Sequence, residues 1–388
     1  MNLKHIPMPN KSNAQSRRKF IYNIGLAGLS IPILSAGIKL NNDEIKPKLM
    51  LEKNKKEGKL GVALVGLGGY ASGPLASGLQ QTEHCYLAGI VTGTPSKAAA
   101  WKEKYNIPEK NIYNYENFDS IKDNPDIDIV YVVLPNNMHA EYTIRAAQAG
   151  KHVTSEKPMA ITVEDCDKMI AACKKAGKML SIGYRLHFDP YHLEMVRLGT
   201  KKVFGEIKSL SGGFGFNAQK GIWRLDKKMA GGGPLMDLGI YCLQAVCYTT
   251  GMEPLAVTAQ SAPISDKEKF VDIEETLTFQ MEMPSGLKAE CKTSYTDGLN
   301  YLKAETANGF FELQPAFNYS GLKGKTTNEI IEYAPMSQQA KQMDEFALAI
   351  KNNRPTIVPG EMGRRDVKII SAIYEAMNTG KRIVIPKG

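Results

Sequence analysis

The sequence is poor in the features that commit a chain to metal, membrane or nucleic acid. Its six cysteines (Cys85, Cys166, Cys173, Cys242, Cys247 and Cys291) form neither a CxxC pair nor a zinc-ligand spacing, so no metal is expected and buried free thiols are the better reading. No second long apolar stretch follows the run from residue 20 to 38, so nothing further is expected to span a bilayer. The formal charge is +9, but residues 1–58 hold 11 Lys and Arg against 4 Asp and Glu, leaving +2 for residues 59–388. A nearly neutral body offers no electrostatic footprint for DNA or RNA. Internal repeats are also missing. At 388 residues the chain is long enough for two domains, each with its own core.

What is present begins with Ser16-Arg17-Arg18-Lys19-Phe20-Ile21, ahead of a charge-free, moderately apolar run to Ile38 that contains Gly25, Gly28, Ser30 and Pro32. Twin arginines before a weak hydrophobic region resemble the signal of the twin-arginine route, which exports folded proteins; a membrane anchor is the alternative. Residues 1–38 are therefore read as a signal region directing the chain to the periplasm, or tethering it if Ser35-Ala36-Gly37 is not cleaved. Residues 39–58 are charged and lack periodicity, as a linker or an arm on a partner subunit would be.

The stretch 60–74, LGVALVGLGGYASGP, organises the rest. Leu60, Val62, Ala63, Leu64 and Val65 form a continuous apolar run, the pattern of a strand buried on both faces, and Gly66-Leu67-Gly68-Gly69-Tyr70-Ala71 breaks it into a turn and a helix start. Gly66 permits the turn, Gly68 lets the backbone approach a pyrophosphate, and Ala71 allows close packing of helix on strand. A second apolar strand, 85–92, ends at Thr92-Gly93-Thr94 with Ser96 and Lys97 behind it, and no acid occurs from Cys85 to Lys102. A carboxylate near that place binds the ribose hydroxyls of NAD and repels a 2′-phosphate. Hydroxyls and one lysine favour NADP instead, with NAD the less favoured alternative.

A third strand, 128–134, ends in Leu134-Pro135-Asn136-Asn137-Met138-His139, the kind of strand-end loop where ligands bind in doubly wound sheets. His139 also reads equally well as a helix-start residue packed on the sheet. A fourth strand, 151–154, runs into Ser155-Glu156-Lys157-Pro158, which sets a lysine beside a carboxylate. The chain then leaves through Tyr184-Arg185-Leu186-His187-Phe188-Asp189-Pro190. Trp223-Arg224-Leu225 and residues 230–241, AGGGPLMDLGIY, follow, the latter reading as a loop giving way to a helix. Asp237 and Tyr241 are four apart and share a helix face. A dehydrogenase needs a group that takes a hydroxyl proton as hydride leaves carbon, and a tyrosine beside a cation such as Lys157 can do this. A hydrogen-bonded pair at a domain seam would look the same.

The turn GLGGYA, the loop LPNNMHAEYTIRAAQAGKHV and the triplet EKP, in this order and spacing, resemble the glucose–fructose oxidoreductase, inositol dehydrogenase and rhizopine-catabolism (Gfo/Idh/MocA) family. Most of that family carries GGGxLxDxGxH, with histidine as the proton-transfer residue; Tyr241 stands there in this chain. That substitution, with GYRxHxDP from Gly183, WRL from Trp223 and AGGGxLMDxGIY from Ala230, resembles the glucose–fructose oxidoreductase branch over about residues 59–385.

The resemblance implies an α/β chain. A Rossmann domain with a doubly wound parallel sheet (59–183) would precede an α+β substrate and oligomerisation domain (184–388) built on a large, mostly antiparallel open sheet, whose open face makes dimers or tetramers in the family. It implies Lys157, Tyr241 and Asp237 as catalytic residues, and Arg185 and His187 beside them on the substrate. It extends the cofactor set from the turn and Thr92, Gly93, Thr94 and Lys97 to Leu67, Gly69, Tyr70, Leu134, Pro135, Asn136 and His139, and to Glu156, Lys157, Arg185, Trp223 and Arg224. The expected activity is oxidation of the C1 hydroxyl of a cyclic aldose to a lactone by bound NADP, which a second sugar or ketose reoxidises. The alternatives are an aldose dehydrogenase that releases NADPH, a secreted sugar-binding protein with a structural nucleotide, and a glycosidase using transient oxidation.

Overall fold

The structure, a computed structural model, describes residues 58–386. The expected signal region and all of the 39–58 segment except Gly58 lie outside these residues.

Strand β1 (Leu60–Val65) places Val62 and Leu64 in one hydrophobic core and Ala63 and Val65 in another. Burial on both faces is why its sequence is continuously apolar rather than alternating. Strands β2 (Cys85–Val91), β3 (Ile112–Tyr113), β4 (Ile129–Val132), β5 (His152–Ser155) and β6 (Leu180–Ile182) complete a parallel sheet in the order β3-β2-β1-β4-β5-β6. In this doubly wound order the winding reverses between β1 and β4, so the loops leaving their carboxyl ends diverge around a crevice. After β1, Gly66 adopts a φ of +94°, and a Cβ there would stand 2.6 Å from the carbonyl oxygen of Val133. Only glycine suits both demands.

The second sheet contains β7 (Ile207–Gly215), β8 (Ala256–Ser261), β9 (Thr276–Glu282), β10 (Lys288–Ser294), β11 (Leu299–Thr306), β12 (Gly309–Leu313), β13 (Gly324–Thr326), β14 (Ile330–Ile331) and β15 (Ile383–Val384). Their order is β14-β13-β12-β11-β7-β10-β9-β8-β15, antiparallel except for the β10–β7 pair. Sequence patterning points to β8, β9, β10 and β12 but not to the central β7, whose residues IKSLSGGFG have weak strand propensity. Tertiary packing decides that strand: a Cβ on Gly213 would lie 2.4 Å from the Tyr301 ring.

Two C-terminal helices tie this half back to the first. Helix Gln338–Lys351 contributes Met343, Phe346 and Ala347 to the core under β1 and β2, and its Asp344 accepts hydrogen bonds from the backbone N–H groups of Glu83 and His84. Helix Gly360–Thr379 packs on helix Val163–Lys175, β6 and β8. The six cysteines are buried and free. Among the described residues no helix is long and apolar enough to cross a membrane.

Candidate active site

A cavity of about 1050 Å³ follows the crevice from the glycine turn to the second sheet. Residues Gly66 to Ala71, Thr92, Gly93, Thr94, Lys97, Leu134, Pro135, Asn136 and His139 line it. So do Glu156, Lys157, Arg185, Trp223, Arg224, Asp237 and Tyr241. Of the residues singled out from sequence, only His187 is absent from this lining.

At one end, a Cβ on Gly68 or Gly69 would meet no atom within 4 Å, so the backbone is open to the cavity just before the helix that starts at Ala71. Such a bare turn at a helix N-terminus suits a pyrophosphate. Thr92 Oγ1 accepts from the Thr94 N–H at 3.2 Å, and Lys97 Nζ donates to the Leu67 carbonyl at 3.2 Å. These bonds place two hydroxyl side chains and a cation beside the turn. The acids lining the cavity, Glu156 and Asp237, are both at the other end. The residues present therefore fit a dinucleotide, and the acid-free end fits one bearing a further phosphate.

At that other end Lys157 Nζ donates to the Asp237 carbonyl at 2.6 Å and to Asp237 Oδ1 at 3.2 Å. Arg224 Nε lies 3.0 Å from Asp237 Oδ2, and the Tyr295 hydroxyl donates to the same oxygen at 3.2 Å. Burial by itself would raise the Asp237 carboxyl, but Lys157 and Arg224 outweigh it and hold the group below the usual aspartate range. Burial would likewise lower the Lys157 ammonium, and Tyr241, Asp237 and Glu156 raise it above its ordinary value. These neighbours favour the charged form of Lys157, which suits it to polarise a hydroxyl. It stands 4.6 Å from the centroid of the Tyr241 ring, and the Arg185 guanidinium stands 5.0 Å from it. Helix Ile240–Thr250, which carries Tyr241, is preceded by a π turn over Leu235–Gly239, which carries Asp237. Such widened turns are frequent at functional sites.

Glu156 is buried, and burial pushes its carboxyl up. It accepts from the Tyr131 hydroxyl at 2.7 Å, which accepts in turn from Gln342 at 2.8 Å. Of two histidines expected at the site, one lines the cavity and the other does not. His139 touches the cavity, but its ring nitrogens lie 2.8 and 2.9 Å from the carbonyls of Leu134 and Pro158, pinning the β4 loop to the EKP turn. His187, expected on the substrate, sits behind Tyr241 against Gln244, which donates to the buried Asp366. The alternation of Arg185 and His187 along a single 3₁₀ turn sends only Arg185 into the cavity.

Other lining residues left no sequence signal. Phe214 and Phe317 form an aromatic wall against Tyr241, with centroids 5.5 and 6.2 Å away. Tyr319 stacks on Tyr70 at 5.6 Å, and Tyr115 covers Gly93. They come from a glycine-rich strand and from loops without periodicity. Glu274 also escaped notice: it accepts from the Gly233 and Leu235 N–H groups, each at 3.0 Å, and from the Tyr374 hydroxyl at 2.9 Å, anchoring the loop that precedes Asp237.

A parallel doubly wound sheet whose crevice carries a lysine at a strand end and meets an aspartate and a tyrosine from the helical segment beside the second sheet defines a nicotinamide-dependent oxidoreductase. Residues 60–184 match the family model for the Gfo/Idh/MocA oxidoreductases with an NAD-binding Rossmann fold, and residues 192–324 match the GFO/IDH/MocA C-terminal domain. The chain belongs to this family. It is similar to the solved aldose-aldose oxidoreductase from Caulobacter crescentus, at 41% identity and a TM-score of 0.82, covering 84% of this chain and 99% of that one. It is 26% identical to an NADP(+) D-xylose 1-dehydrogenase from Haloarcula marismortui over 84% of this chain and 94% of the relative. It is also 26% identical to D-glucoside 3-dehydrogenase of Escherichia coli, over 84% and 97%.

Proposed function

We propose that this protein is a periplasmic, twin-arginine-exported NADP-dependent sugar oxidoreductase that oxidises the C1 hydroxyl of a cyclic aldose to a lactone. The observation that carries the reading is the grouping of Lys157, Asp237 and Tyr241 at one end of a cavity whose opposite, dinucleotide end is bare of acids. The turn from Gly66 to Ala71 would hold the pyrophosphate, and Thr92, Thr94 and Lys97 the 2′-phosphate. NADP supplies the hydride acceptor. Lys157, held as a cation, polarises the sugar hydroxyl; Tyr241 takes its proton; and Asp237, fixed by Lys157, Arg224 and Tyr295, orients the ring through its remaining lone pairs. The aromatic wall of Phe214 and Phe317 gives the sugar an apolar face to lie on.

Export of a folded chain requires the nucleotide to be taken up in the cytoplasm and kept. A second sugar or ketose then reoxidises it, with proton and hydride returning along the same path. The open face of the nine-stranded sheet would build a homodimer or homotetramer, and residues 59–183 and 184–388 would form the two domains. A second reading, a dehydrogenase that releases NADPH after each turnover, draws support from the similarity to the xylose dehydrogenase.

Denaturing the purified mature protein should release stoichiometric NADP, and adding aldoses and then ketoses to the native protein should raise and then remove the reduced-nicotinamide absorbance. Release of no nucleotide would overturn the retained-cofactor cycle in favour of the second reading. Bound nucleotide that no sugar reduces would leave a binding protein.

A further inference from the structure

We infer that Arg185 is the electrostatic positioning residue for Tyr241, holding in place the positive charge that lets its phenol act as a proton acceptor. The inference rests on the role proposed for Tyr241. A phenol that takes a proton does so through its oxygen, and in a partly buried site a cation beside the ring favours negative charge on that oxygen.

Two cations bracket the ring, and they differ in what else they hold. Lys157 is already paired with Asp237, which Arg224 shares. Arg185 is 2% exposed and makes no ion pair among the described residues. Its Nη1 donates to the Asn318 carbonyl at 3.0 Å and to Gln338 Oε1, its Nη2 donates to the Phe317 carbonyl at 2.5 Å, and its buried Nε has no acceptor among the described residues. These partners fix the guanidinium in space without pairing it to a carboxylate, and its charge acts on the groups around it, Glu156 among them. Gln338 is itself oriented by donating to Asp189 Oδ2 at 2.7 Å. The acceptor-only carboxylate turns the amide oxygen towards Arg185.

Burying an unpaired guanidinium is costly. Here the cost is offset when negative charge appears on Tyr241, whose ring lies 5.0 Å away, while Tyr319 takes the second ring contact at 4.5 Å. The remaining titratable groups around Tyr241 are Lys157 and Glu156 from the EKP turn, Asp237 on its own helical segment, Arg224 on Asp237, Tyr70 from the glycine turn, Tyr319 from the loop after β12, and Tyr184, His187 and Tyr248 behind it. None of them is a second cation without a carboxylate partner. In the step itself bound NADP would supply the acceptor for the C1 hydrogen and its electron pair, and the hydroxyl proton would pass to the phenol oxygen of Tyr241. Reduction of the second sugar returns both.

The test compares wild type, Arg185→Gln and Arg185→Lys, each with and without Tyr241→Phe, in the protein as purified, with any retained nucleotide and without sugar. The ultraviolet band of tyrosinate is followed against pH, and the Tyr241 contribution is taken as the difference within each pair. Glutamine keeps donors for the backbone carbonyls but removes the charge, so the Tyr241 titration should move up by about one to three pH units. Lysine keeps the charge, so the titration should stay near that of wild type, and the pH profile of kcat should follow the same order. An unmoved titration in Arg185→Gln, or an upward shift in Arg185→Lys equal to it, would overturn the inference. If Arg185→Gln does not fold, Arg185→Lys decides: a titration kept near wild type supports the inference, and a raised one refutes it. Because the titration needs no sugar, a shift as expected in a protein that oxidises no sugar would reject the proposed function and leave the electrostatic role standing.

Discussion

Glu274 offers the sharpest test of how the second domain delivers its catalytic side chains. It lies two residues before β9, is 6% exposed, and accepts three hydrogen bonds, from the Gly233 and Leu235 N–H groups and the Tyr374 hydroxyl. Two of these donors open the segment that carries Asp237 and Tyr241. Its carboxyl is pushed up by burial, against the pull of these donors. Leu235 and Tyr374 share Oε1 while Gly233 uses Oε2 alone, so in Glu274→Gln the amide oxygen can keep the first two and the amide nitrogen faces the Gly233 N–H. One orphaned buried donor costs about 1–3 kcal/mol. At roughly 2 °C per kcal/mol for a chain of this size, Tm should fall by about 2–6 °C. Glu274→Ala orphans all three donors and leaves a cavity, so it should lose at least about 3 kcal/mol. Urea denaturation and calorimetry measure both. In Glu274→Gln, kcat should fall more than nucleotide affinity, because the anchor holds the segment that carries Asp237 and Tyr241. An alanine variant with wild-type Tm, or a glutamine variant losing nucleotide and keeping kcat, would refute the account.

Three further outcomes are expected. Tyr241→Phe keeps the ring against Phe214 and removes the hydroxyl, so turnover should drop by about 10²–10⁴-fold with nucleotide still bound, and adding Lys157→Met should make it scarcely worse than the worse single variant; a lower Tm with near-normal turnover would end the catalytic assignment. Thr92→Asp sets a charge in a position 7% exposed beside Lys97, and should shift the NADP-to-NAD affinity ratio towards NAD by about 1–3 kcal/mol, measured by titration of each nucleotide; an unchanged ratio would mean that the 2′-phosphate lies elsewhere. Asp237 has a folded-state pKa below the ordinary aspartate value of 3.8, so its contribution is fully present above that value and is lost as pH falls through the folded pKa; the stability gap between wild type and Asp237→Asn should therefore narrow on acidification below about 4, and a gap that widens would contradict the sign.

Much of this molecule is legible in one dimension because the governing physics is local. A strand buried on both faces must be continuously apolar, as at β1, and a turn at φ +94° against a neighbouring carbonyl must be glycine, as at Gly66. Thr92 to Lys97 and the EKP turn sit at strand ends, where topology alone predicts a ligand, so spacing was enough to place them on the cavity. Other features depend on partners distant in sequence. The central strand β7 carries Gly213 and Gly215 because the Tyr301 ring and the carbonyl of Asp297 occupy the space where their side chains would be, and no window around residues 207–215 contains that information. His187 and Arg185 are two residues apart with similar expectations, and only the burial of His187 against Gln244 and the carbonyls of Phe317 and Asn318 around Arg185 separate them. Tyr319 reaches the cavity, and Glu274 anchors the loop before Asp237, from segments without periodicity. Periodicity reports which face of an element is buried, whereas the neighbours that hold a charge, orient an amide or cap a helix are chosen by long-range packing and become visible only when the chain is folded.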